Sequence, residues 1–228
     1  MADNHHIPAV NPLPPVVVAL FLVIMGVEAA MSLGARGIVG GPEAIGWRLN
    51  WAQRYAFSPD IFDWMRERRF WPAEHMIRFV SYPFIHASFT HALFAGVIFL
   101  AMGKMTAERF GAVRMLIIFF ASGIVGALAY ALLLQTHVAL IGAFPPVYGL
   151  IGAFTFMLWR QLSSIGANQT RAFSLIVVLM GVQLLFGLFF GGNGGWVADL
   201  AGFGTGFVLS FFLIPGGWND ILARVRRD

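Results

Sequence analysis

The sequence predicts an all-α polytopic membrane protein: a bundle of six transmembrane helices with a long interfacial loop between the first and the second. Three observations predict it. Of the 228 residues, 58% are hydrophobic and 11% are charged, less than half of the ~25% charge of an ordinary soluble domain. The mean hydropathy is +0.75. The apolar residues also fall in long runs, and runs of ~18 or more are read as helices that cross a bilayer. No stretch outside these runs is long enough to build a second core. The organisation is therefore a tail over residues 1–13, one membrane domain over 14–215 with the loop at about 34–82, and a basic tail over 216–228.

The spans follow in order. The first is about Pro14–Leu33 and the second about Pro83–Gly103. The third is about Val113–Leu134, the fourth Pro146–Leu162, the fifth Phe173–Phe190 and the sixth Gly195–Ile214. A cleaved signal peptide is not expected, because residues 1–13 hold no Lys or Arg and a positively charged n-region is part of that signal. In the loop, Ser58-Pro59-Asp60 is a helix-start pattern. It opens a short interfacial helix over IFDWMRERRF, residues 61–70.

Charge gives the orientation. With the N-terminus inside, the inner loops and tail hold Lys104, Arg109, Arg114, Arg160, Arg171, Arg224, Arg226 and Arg227, whereas the short outer loops hold no Lys or Arg. This agrees with the excess of positive residues on the inner side. The loop at 34–82 runs against it with seven Arg, but its aromatic residues (Trp47, Trp51, Trp64 and Trp71 among them) suit a segment lying in the interface. The expected setting is an integral protein of a bacterial inner (plasma) membrane with both termini cytoplasmic. The net charge of +4 points to lipid headgroups and not to nucleic acid, because the basic residues flank apolar runs. Cysteine is absent, so no disulfide framework or thiolate metal site is expected.

Small residues pattern the later spans. Gly149 and Gly152 mark the fourth, and Gly202 and Gly206 form a GxxxG in the sixth. Such faces let helices approach closely in lipid. Polar groups at membrane depth are costly and count as functional candidates. His86 and His91 in the second span are five positions apart, about 500° of rotation, so on one helix they would point ~140° apart. That argues against a shared metal or haem, and no cofactor is expected. Asp199 in the sixth span needs a partner or hydration, and Tyr148 in the fourth needs a partner for its hydroxyl. Glu28 in the first is expected to be solvated or paired with an Arg of the long loop.

These stretches resemble the rhomboid family of intramembrane serine proteases. The matching segments are HASFTHALFAG, LIGAFPPVYGLIGA and DLAGFGTG. Arg78 resembles the Arg of the family's Trp-Arg loop motif, although Ile77 stands where Trp is usual, and Gly103, Glu108 and Gly111 resemble its G…E..G helix ending. The resemblance covers about residues 75–215 and implies a six-helix core. It implies a Ser–His dyad, with Ser in a G-x-S-G motif at the start of the fourth helix and His three residues before a Gly that opens a GxxxG in the sixth. An Asn four residues after the second His of HxxxxH completes the oxyanion hole. Placed on this chain, the nucleophile position is Phe144, the following Gly is Pro145, the base position is Asp199 and the Asn position is Ala95. His86, His91, Tyr148, Gly142, Gly202 and Gly206 are kept.

The resemblance thus implies a catalytically inactive rhomboid-like pseudoprotease, because Phe144 has no nucleophilic atom and Ala95 no donor. It would bind transmembrane segments of partner proteins as a subunit, chaperone or assembly factor. The alternatives are an active serine-type endopeptidase and a small-molecule or ion site around His91 and Asp199. Ser88, three residues before His91, could face it on the helix as a substitute hydroxyl. Pro145 and Pro146 are expected to hold Phe144 extended, with Phe144 plugging the nucleophile site. Asp199 is expected to pair with protonated His91 and accept from Tyr148.

Overall fold

The computed structural model describes residues 12–190, 192 and 194–215. Most of the expected N-terminal tail and the basic C-terminal tail with Arg224, Arg226 and Arg227 lie outside the described residues. The long helices are α1 (Pro15–Ala35), α6 (Phe89–Phe110), α7 (Ala112–Leu133), α8 (Phe144–Ser164), α9 (Ser174–Phe190) and α10 (Trp196–Leu213). Between α1 and α6 lie four short helices, α2 (Trp47–Tyr55), α3 (Pro59–Arg68), α4 (Ala73–Met76) and α5 (Arg78–Ser81). Among the described residues, five segments are long and apolar enough to cross a membrane: Pro15–Ala35, Phe89–Phe110, Ala112–Leu133, Gln169–Phe189 and Trp196–Leu213. The remaining long helix, α8, has 21 residues but a more mixed composition. It can afford it, because α6, α7 and α10 pack around it and eleven of its residues are buried. The outward apolar positions, such as Leu22, Phe94, Val177 and Leu188, stay exposed as lipid-facing surface.

Two helix starts differ from the sequence expectation. The second span begins at Phe89 and not at Pro83, because Pro83 sits in a 3₁₀ turn and Ser88 caps α6 by accepting from the His91 backbone N–H at 3.2 Å. It also runs on to Phe110, where Gly111 ends it at φ 89°. The fourth span begins at Phe144 and not at Pro146. Prolines fit anywhere in a first turn, since the amides they lack have no intrahelical acceptor, and Val147 N–H makes the first bond, to Ala143 O at 3.0 Å. Phe144 is therefore helical and not extended.

The long loop is folded. Ser58 Oγ accepts from Ile61 N–H and opens α3 where the sequence places a helix. Phe57, Phe62, Met65, Phe79 and Tyr82 form a second apolar cluster with Ala127 and Tyr130 of α7. Tyr82 donates to Gly123 O at 2.8 Å, and Arg78 to Ala56 O at 2.9 Å. Glu28 is fully buried in α1 and meets Arg48 of α2 at 2.7 and 3.0 Å, with Ser32 Oγ at 2.6 Å. Of the two expectations for Glu28, pairing with a loop Arg is the one the structure shows.

At the surface, Asp60 of α3 and His137 of the α7–α8 connection are 2.6 Å apart. The hydrogen bond that His137 donates to the Asp60 carboxylate raises the His137 pKa above its ordinary value. A raised folded-state pKa gives a contact that is fully present below ~6.5 and lost as pH rises through the raised value. The expected result is that Asp60→Asn lowers the His137 midpoint in an NMR titration. An unchanged midpoint would show that the contact does not form.

Candidate functional site

The segment that leads into α8 is held by Phe57 and Tyr82 of the folded loop and by His86. Leu140 pairs antiparallel with Phe57, with N–H to O distances of 2.8 and 3.1 Å. Gly142 N–H donates to Tyr82 O at 3.1 Å, and Ala143 N–H donates to His86 Nε2 at 3.3 Å. Gly142 has φ +98°, and a Cβ there would stand 2.7 Å from the His91 ring. Only glycine gives both that conformation and that approach. Arg48, already bound to Glu28, also donates to His86 O, so α1, α2, His86 and the start of α8 form one hydrogen-bonded series.

His86 and His91 meet. Their rings are 5.3 Å apart and nearly perpendicular, which corrects the divergence expected from helical rotation. His86 precedes the N-cap of α6, so the 100° step does not apply to it. Among the described residues no group of three His, Cys, Asp or Glu side chains converges as a metal site would require. The His91 ring stacks on Phe144 at 5.2 Å and 20°, and Phe144 meets Tyr148 edge-on at 6.5 Å. An aromatic face thus lies against His91 where the resemblance calls for a hydroxyl. His91 Nδ1 accepts from Ala87 N–H at 3.4 Å. Ser88 Oγ is used as the α6 cap, which removes the pairing with the His91 ring considered from sequence.

Asp199 is 3% exposed, so of a partner or hydration it is a partner that it needs. Its partner is neither His91 nor Tyr148. Gln183 of α9 donates from Nε2 to Asp199 Oδ2 at 2.6 Å and accepts from the Tyr148 hydroxyl at 3.1 Å. An amide donates and accepts at once, so one Gln joins α8, α9 and α10. Ala95 is fully buried in the main apolar cluster and offers no polar atom. Sequence reasoning missed Gln183. The available signal is that it is the only strongly polar side chain between Leu175 and Phe190, and such residues serve as interhelical hydrogen-bonding groups in membranes.

The helices meet here through glycine. A Cβ on Gly202 would overlap Pro145 O, one on Gly206 would overlap Gly149 O, and one on Gly152 would overlap Phe203 O. A Cβ on Gly149 would overlap Ser122 Oγ.

Gln183→Leu leaves the Asp199 carboxyl buried without its donor, and an unmade buried hydrogen bond costs ~1–3 kcal/mol. The expected result is a lower unfolding midpoint for Gln183→Leu and substantial recovery in Gln183→Leu/Asp199→Leu. A double variant no better than the single one would show that the pair is not coupled.

Comparison with known proteins agrees with this architecture. The family described as "Rhomboid domain" matches residues 73–216. "Putative rhomboid protease YdcA" of Bacillus subtilis is 27% identical over 137 residues, which cover 60% of this chain and 67% of that protein. "RHOMBOID-like protein 4" of Arabidopsis thaliana is 29% identical over 140 residues, 60% of this chain and 34% of that protein. "Rhomboid-like protease 3" of Toxoplasma gondii is 30% identical over 133 residues, 54% of this chain and 49% of that protein. The matches thus span from about a third to two thirds of these relatives' own lengths.

Proposed function

The chain belongs to the rhomboid family, and from that membership we propose that it is a catalytically inactive member that binds transmembrane segments of partner proteins. It would act as a subunit, chaperone or assembly factor of a membrane complex, in a bacterial inner membrane with both termini cytoplasmic. The observation that supports this reading best is the Phe144 ring stacked on His91. Serine-protease chemistry needs a nucleophilic oxygen beside a base and donors for the oxyanion. The positions matched to those roles hold Phe144, Asp199 and Ala95. Asp199 is engaged by Gln183 and has no hydroxyl to activate. A site without nucleophile and base retains at most residual transition-state binding.

A photoreactive residue at Phe94 on α6 or Leu184 on α9, two exposed apolar positions, tests the binding role. The expected result is crosslinking to intact membrane proteins in cells. Recovery of only lipid adducts would overturn it. The second reading is an active intramembrane serine-type endopeptidase, favoured by two relatives being named proteases. It predicts cleaved products that disappear on substitution of His91 or Asp199.

A further inference from the structure

At the end of the bundle opposite Phe144, the last turns of α6 and α8 border a cavity of about 700 Å³. Its floor is apolar, with Phe154, Met157 and Ile214. Its rim is polar, with Arg109 on α6 and Arg160 and Gln161 on α8. This end also holds Lys104, Arg114 and Arg171. Against these cations stands Glu108, which lies on the rim and is 3.9 Å from Lys104. Arg114 donates to Phe110 O, so part of the positive charge answers the carbonyls that end α6. Arg109 is exposed.

We propose that this cavity is a binding site for an anionic phospholipid, its phosphate between Arg109 and Arg160 and its acyl chains on the Phe154–Met157 floor. The division of the lining supports a lipid. A small anion would use the rim alone, and an uncharged lipid the floor alone. Basic pockets between transmembrane helices at a cytoplasmic face suit anionic headgroups, because the local dielectric strengthens the attraction and the surrounding leaflet supplies the ligand. The guanidinium of Arg also matches phosphate oxygens in a bidentate way.

The test is native mass spectrometry of the full chain with dioleoylphosphatidylglycerol or dioleoylphosphatidylcholine, and with glycerol 3-phosphate as competitor. A cation near an anionic membrane surface contributes on the order of 1 kcal/mol, so Arg109→Ala is expected to weaken phosphatidylglycerol binding about fivefold, and Arg109→Ala/Arg160→Ala about thirtyfold. Phosphatidylcholine, whose choline offsets its phosphate, should bind more weakly and change less. Arg109→Lys should stay within about threefold of the unaltered chain, and Arg54→Ala, on the exposed side of α2, should match it. Equal retention of the two lipids, or an equal loss in Arg54→Ala, would overturn the proposal. Competition by glycerol 3-phosphate at lipid-like concentrations would also overturn it, since the site would then take a free phosphate.

Discussion

Arg48→Leu is expected to destabilise the fold by about 3 kcal/mol, the lower end of the range for removing one partner of a buried ion pair. Glu28 is fully buried and accepts two bonds from Arg48, so its carboxylate would keep only Ser32. The lower end is chosen because the Arg48 side chain is 26% exposed and water reaches part of the site. The same substitution removes the donor to His86 O, and His86 in turn accepts from Ala143 N–H. Loosening should therefore spread to the start of α8. Unfolding in mixed micelles checks the magnitude, and amide exchange at Gly142 and Ala143 checks the spread. Glu28→Gln/Arg48→Leu should recover part of the loss, since replacing both charges avoids the isolated carboxylate. A single variant as stable as the unaltered chain would show that the pair contributes nothing.

Gly206→Leu is expected to cost ~3 kcal/mol or more and to abolish the native monodisperse particle in mild detergent. Even one added carbon would overlap the Gly149 carbonyl, and backbone cannot swing aside as a flexible side chain does. The helices α8 and α10 would have to separate, which also parts Asp199 from the Tyr148–Gln183 series. Gly204→Leu is the control, because a Cβ at Gly204 meets nothing within 4 Å. Size-exclusion profiles with thermal unfolding read the difference. Equal behaviour of the two variants would show that the close approach is not required.

The elements that face lipid are the ones most readily seen in the sequence. Apolar runs place α1, α7, α9 and α10 within about two residues of their observed ends, because a bilayer demands both length and apolarity. Helix starts near Pro83 and Phe144 are less readable. A proline marks a first turn without saying which of its positions it takes, and Ser88 opens α6 at Phe89, six residues past where the apolar run suggests. That misplacement is what separated His86 from His91 in the sequence reading. The Glu28 partner was readable as a loop Arg, but seven candidates share that loop and only the fold of α2 selects Arg48. Gln183 was hidden for a related reason. Its role depends on two atoms from different helices, Tyr148 Oη and Asp199 Oδ2, and no spacing in one sequence records that meeting.

We propose that the rhomboid frame here encloses a site without hydrolytic chemistry. The most direct test is cleavage of a helical transmembrane substrate by the purified chain in liposomes, alongside an active rhomboid protease. The expected result is no product from this chain while the active enzyme cleaves the same substrate. Product formation by this chain that is abolished by His91→Ala or Asp199→Ala would contradict it.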